Sequence, residues 1–220
     1  MSSRIMQELI DSFGRLLIPG IKVTIPLTAI SFGIGLVIAL LVALVQTANI
    51  PVLKQIARFY IWIIRGTPMI VQLFVVYFGL PSLGIVIPAF PSAVIVFSIS
   101  VGAYCSETIR AAIESVPVGQ TEAGYCIGMS YGQVMRRIVI PQAAKTAFPP
   151  LSNSLIGLVK DTSLAYSVAI VEILATAQRI ASRTYDYFWL YLEAGLIYLI
   201  ICTVLSWVQR LAEKKMSKVG

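Results

Sequence analysis

The chain has 220 residues, of which 58% are hydrophobic and 12% charged, with a net charge of +7 and no histidine. Soluble domains carry about 25% charged residues, so the composition excludes an ordinary soluble fold. The lack of histidine excludes Ser-His and Cys-His catalysis and any His-ligated metal. No G-x-x-x-x-G-K-[ST] run is present, which leaves the chain without a P-loop of its own.

Residues 1–20 are charged throughout and lack the continuous apolar core of a signal peptide. Met6, Leu9, Ile10, Phe13, Leu16 and Leu17 recur at helical spacing, which predicts an amphipathic helix lying on the membrane surface. Blocks of spanning length follow, and predict an all-α membrane protein with five transmembrane helices in one domain: 23–45, 59–80, 88–113, 151–175 and 188–208. The first ends at the polar Gln46–Asn49 and Pro51, and the second at the turn Pro81–Gly84. Pro68 in the run Arg65-Gly66-Thr67-Pro68 predicts a kink in the second span, and Gln72 one turn later needs a polar partner in lipid. Trp189, Tyr191 and Trp207 flank the last span as interfacial anchors.

The segment 114–150 is too long for a turn and must carry structure. Thr121 can cap a short helix there, with Glu122 in its first turn, and Arg136 and Arg137 offer charge. Cys105, Cys126 and Cys202 have no metal-ligand spacing and read as small hydrophobes.

Five spans put the termini on opposite sides. Lys54, Arg58, Arg110, Arg136, Arg137, Lys145, Arg210, Lys214, Lys215 and Lys218 fall on one side, against Arg4, Arg15, Lys22, Arg179 and Arg183 on the other. The more basic side is cytoplasmic, which places the N-terminus outside, the C-terminus inside and 114–150 in the cytoplasm. The basic charge therefore answers to the bilayer, and no nucleic-acid partner is expected.

Arg65, Glu107, Lys160, Asp161 and Glu193 lie in or near apolar segments, where an ionised side chain costs at least roughly 2.5–3.5 kcal/mol. Ser154 and Asp161 stand two turns apart on one helical face, flanked by Asn153 and Lys160. That stripe either touches a polar substrate or is spent on a Lys160–Asp161 or Glu107–Lys160 pair that holds helices together. Glu107 can also pair locally with Arg110. The candidate substrate-contacting set is Gln72, Tyr104, Asn153, Ser154, Asp161, Thr162 and Ser163.

Glu122-Ala123-Gly124, Gly128 and Ile138-x-Ile140-Pro141 resemble the EAA loop of type I ABC importer permeases, E-A-A-x3-G-x9-I-x-L-P. Gly124 replaces the second alanine and Ile140 the leucine. The stretches 65–74, 103–124 and 140–165 resemble the polar amino-acid branch of that family. The resemblance implies a non-catalytic permease in the bacterial plasma membrane, paired with an identical or a different permease chain. It implies ATPase subunits that hold ATP and Mg, an extracellular solute-binding protein, and no cofactor on this chain. Glu122, Ala123 and Gly128 match the coupling helix that seats in the ATPase, with Arg137 as an anchor.

Members that carry cationic amino acids resemble the pattern N-E-F in the fourth span, whereas this chain reads Asn153-Ser154-Leu155. The missing carboxylate removes a charge-assisted contact for arginine or lysine. A neutral or polar amino acid is expected, and 153–164 resembles cystine permeases. An ion-coupled secondary amino-acid transporter is the alternative; it commonly shows internal repeats, and the sequence has none.

Overall fold

The computed structural model describes residues 3–47 and 50–217; Asn49, Lys218 and the first two residues of the 1–20 segment lie outside them. Every described element is helical. Three helices are long and apolar enough to cross a membrane, or five if each of two bent pairs is one span.

The first finding concerns the N-terminus. Helix α1 (Ser3–Pro19) does not lie apart from the first span but runs unbroken into α2 (Ile25–Thr47). Pro19-Gly20 reads as a break, yet a π-helical turn over Gly20–Thr24 absorbs it. Gly20 is needed there because a Cβ would fall 3.1 Å from Ile173 Cδ1. The apolar side of α1 is turned inward at Leu16, which packs with Ile173, Ala177, Ala194 and Ile197. Ser12 Oγ also donates to Glu193 Oε2 across 2.5 Å.

Helix α3 (Pro51–Gly66) and α4 (Met69–Phe74) form the second segment, bent by 102°. The expected kink is a full break. Proline disfavours helical backbone in the residue before it, and Thr67 is extended at φ −122°, ψ 142°. Gln72 finds its partners here: its Nε2 donates to Ile64 O at 2.9 Å, Thr67 O at 3.2 Å and Thr67 Oγ1 at 2.9 Å. One side chain thus serves the carbonyls that the break leaves open.

Helix α5 (Ala89–Glu114) is the centre of the molecule, packed by α2, α3, α4 and α8. Lipid tails are as apolar as leucine, so burial alone does not drive helices together in a membrane; close packing and polar contacts do. The α2–α5 seam uses both. Small residues of α2, Thr28, Ser31, Gly35, Ala39 and Ala43, are buried, while Ile30, Ile34, Val37 and Leu41 face outward. A Cβ on Gly35 would lie 2.5 Å from Val101 Cγ1, and one on Gly102 2.6 Å from Ile38 Cγ2. Tyr60 OH donates to Ile99 O at 2.6 Å, tying α3 to the same seam.

Two short helices follow, α6 (Val118–Cys126) and α7 (Tyr131–Val134), and a π-turn over Met135–Val139 leads into α8 (Ile140–Asp161). Pro149 and Pro150 stand at the end of the 114–150 segment in the sequence, but lie inside α8. Their missing N–H groups leave carbonyls a turn earlier without helical partners, which membrane helices tolerate when neighbours help. Gln209 Nε2 approaches Pro149 O at 3.5 Å. The expected fourth span therefore begins earlier and breaks sooner. It tightens to a 3-10 turn over Thr162–Val168, turns at Ala169 (φ 63°) and resumes as α9 (Ile173–Thr184), bent by 51°. Helix α10 (Tyr187–Ser217) packs on α1, α8 and α9.

Candidate coupling helix and polar face

The turn after α6 explains the glycine of the loop motif. Gly128 sits at φ +82°, its N–H bonds Tyr125 O at 2.9 Å, and Met129 N bonds Gly124 O at 3.0 Å. This is a Schellman termination, which needs a left-handed residue one past the cap. Gly124 is buried, and a Cβ there would meet Val134 Cγ2 at 2.8 Å and Ile138 Cδ1 at 3.1 Å. The alanine of the family pattern does not fit without a shift, so the glycine lets α6 lie directly on the start of the next helical run. Ser130 and Gln133 close a capping box on α7. Helix α6 starts at Val118 after Pro117, so Thr121 lies within it and is not its cap.

With Gly124 and Val134 turned inward, Glu122, Ala123, Arg136 and Arg137 are exposed together with Tyr125, Ile127 and Tyr131. Glu122, Arg136 and Arg137 have no ion pair or hydrogen bond among the described residues. An apolar patch between unpaired charges of both signs has the make-up of a docking surface.

The polar residues in the spans divide into separate groups. At the α3–α4 break the Arg65 guanidinium lies over the exposed Tyr104 ring, 5.2 Å from its centroid, near Gln72. Helix α4 packs on the 3-10 turn that follows Asp161. Asp161 is half-buried and has no hydrogen bond or ion pair among the described residues, and Ser163 beside it is half-buried too. Ser154 is half-buried and donates to Pro150 O at 3.0 Å, while Asn153 is exposed and accepts from Gln209 Nε2 at 3.3 Å. Thr162 is buried and donates to Val159 O at 2.6 Å, so it is not presented with Asp161. Neither lysine pair closes. Lys160 is exposed without an ion pair, and Glu107 takes Arg110 at 2.9 Å, whose other arm holds Glu114 at 2.6 Å.

One carboxylate escapes the sequence reading. Glu172 is fully buried, accepts from Leu174 N at 2.8 Å and Ala175 N at 2.7 Å, and takes the Tyr198 hydroxyl at 2.5 Å. It caps α9 and ties it to α10. Its place in the apolar run Val168–Leu174 was the available signal, since an acid in such a run must be paired. Replacing Tyr198 by Phe leaves this acceptor short of a donor, at a cost of about 1–3 kcal/mol. The expected result is a clear fall in the unfolding midpoint of the purified chain, and a larger one for Glu172→Ala.

The helices thus pack around a central α5, and the segment that joins α5 to α8 carries the exposed helical element α6. The family of binding-protein-dependent transport system inner membrane components matches residues 34–218. The L-cystine transport system permease protein TcyB of Bacillus subtilis (strain 168) is 46% identical over 209 residues, 94% of this chain and 89% of that one. The arginine transport system permease protein ArtQ of the same organism is 34% identical over 201 residues, covering 91% and 92%. Among solved structures, a chain from the crystal structure of an amino acid ABC transporter with histidines superposes with a TM-score of 0.90 at 34% identity, covering 98% and 100%. A chain of the inward-facing MetNI methionine ABC transporter matches the fold with a TM-score of 0.73 at 18% identity. The chain belongs to this family: it is a non-catalytic, multi-pass inner-membrane permease of an ABC transporter. Such permeases do not bind ATP themselves, and the family implies ATPase and binding-protein partners.

Proposed function

We propose that this permease imports an amino acid, and that its substrate is L-cystine. The observation that carries the substrate assignment is Ser154, a neutral side chain on the polar face where a cation-selective relative would need a carboxylate. The resemblance to an L-cystine permease along most of the chain supports the same reading. In this reading Asp161 meets the substrate ammonium group and Lys160 a carboxylate. Gln72, Tyr104, Asn153 and Ser163 line the path, and Thr162 shapes it from behind.

The work enters at α6. ATP and Mg, held by two partner ATPases, close those subunits and draw the α6 elements of two permease chains together. The membrane helices then open outward and take substrate from the binding protein. Hydrolysis returns them inward, each ligand favouring one of two states. Glu122, Ala123 and Gly128 form the seat, and Arg137 anchors it. The N-terminus lies outside and the C-terminus in the cytoplasm. This orientation is supported by the packing of basic ends: Lys54, Arg58 and Arg110 line one groove, while Arg15 lines another with Ile180 and Thr184 of α9.

Uptake in proteoliposomes carrying the ATPase and binding protein tests the substrate. A hydrogen bond to a charged group is worth about 1.5–3 kcal/mol, so without a carboxylate at 154 arginine should trail cystine by about tenfold or more. Labelled cystine is expected to enter with ATP, ahead of glutamine and arginine, and Ser154→Glu to raise arginine uptake. Preferential arginine uptake by the unaltered chain would sink the assignment.

A further inference from the structure

We propose that the groove between α3 and the ends of α2 and α5 binds the phosphodiester headgroup of an anionic phospholipid. The groove encloses about 420 Å³ and lies beside the last turns of α2 and α5, the depth of a span end. Lys54, Arg58, Ile61 and Trp62 line it from α3, at positions one and two turns apart on one face. Lys54 and Arg58 have no ion pair or hydrogen bond among the described residues.

On the opposite wall Arg110 is held between Glu107 and Glu114, which leaves that wall with one net negative charge. The two α3 cations pair with neither carboxylate, and the lining as a whole keeps a net positive charge. Between the walls stands Gln46, which is 6% exposed with its side-chain amide turned to Glu107. The outer face of α3 fits the same occupant: Val52, Ile56, Phe59 and Trp62 are 60–70% exposed, a surface for acyl chains beside a site for their headgroup. Basic pockets between membrane helices are an established way of holding anionic lipid, and an exposed tryptophan at the rim is a common interfacial anchor.

The full-length permease in nanodiscs tests this, with Trp189→Phe and Trp207→Phe leaving Trp62 as its sole tryptophan. Quenching of Trp62 is read against the mole fraction of brominated phosphatidylglycerol or brominated phosphatidylcholine. Each basic residue near an anionic surface contributes roughly fivefold, so the pair should give phosphatidylglycerol an advantage of about 30-fold. Lys54→Gln with Arg58→Gln should abolish the advantage, and Lys54→Arg with Arg58→Lys should keep it. Removing two charges elsewhere, with Lys145→Gln and Arg210→Gln, should also keep it. Equal quenching by both lipids would overturn the proposal, as would loss of the advantage in the Lys145 and Arg210 variant, which would mean diffuse charge. Loss of the advantage in 10 mM inorganic phosphate would give the site to free phosphate, and no quenching by either lipid would mean that protein covers Trp62.

Discussion

Gly102→Val is expected to prevent folded permease from accumulating. Position 102 is the closest approach of three helices: the first added carbon would already meet Ile38 Cγ2 at 2.6 Å and Tyr60 OH at 2.7 Å. These neighbours cannot simply swing away. Ile38 is β-branched and stiff, and the Tyr60 hydroxyl is committed to Ile99 O. Overpacking costs about 1–3 kcal/mol, and displacing Tyr60 forfeits a hydrogen bond worth about 0.5–1.5 kcal/mol and strips the Tyr60 hydroxyl of its partner. In lipid apolar burial gives no compensating drive, so the seam depends on the close packing that the added side chain disturbs. Monodisperse protein after detergent extraction should fall severalfold. Gly33→Val is the control, because a Cβ at Gly33 meets nothing within 4 Å; its yield should stay near that of the unaltered chain.

Gly128→Val should leave the bundle intact and uncouple it. The residue holds φ +82° with open space where a side chain would go, so the penalty is conformational, not steric crowding with neighbours. A left-handed residue with a Cβ costs about 1–2 kcal/mol, and a β-branched one is least tolerant. Losing the turn releases the bonds from Gly128 N to Tyr125 O and Met129 N to Gly124 O, and α6 then loses its fixed angle to the segment that carries Arg136 and Arg137. Gly128→Asn, which tolerates that backbone, should retain much more coupling than valine. Equal loss with both would show that the position is read by contact, not by backbone shape.

How far the sequence foretold the molecule depends on the kind of signal. Apolar length gave the helical membrane class, because a bilayer imposes a length that hydropathy reads directly. Breakers misled in both directions. The stretch 1–20 was set apart from the first span and 150 ended the connecting segment, but a π-turn carries the chain past Pro19-Gly20 and α8 runs through Pro149 and Pro150. Pro68 read as a kink and is a 102° break, because Gln72 can serve the opened carbonyls eight residues back. The loop spacing marked Gly128, since a Schellman turn needs a left-handed residue at that one position. The polar stripe was only partly legible. Periodicity places Asn153, Ser154, Asp161 and Thr162 along a helix, yet the 3-10 tightening after Asp161 turns Thr162 inward. Glu172 stood out only as an acid in an apolar run; its link to Tyr198 on another helix is a contact no local pattern encodes.

In the proposed mechanism α6 passes ATP-driven movement to the membrane helices. It is tested most directly by binding-protein-stimulated ATP hydrolysis in the reconstituted complex carrying Glu122→Ala. Glu122 is exposed and its side chain has no partner among the described residues, so the substitution spares the fold. The expected result is a permease of unchanged yield and thermal midpoint whose stimulation by loaded binding protein falls by about tenfold, the worth of one charge-assisted contact. Stimulation equal to that of the unaltered complex would contradict it.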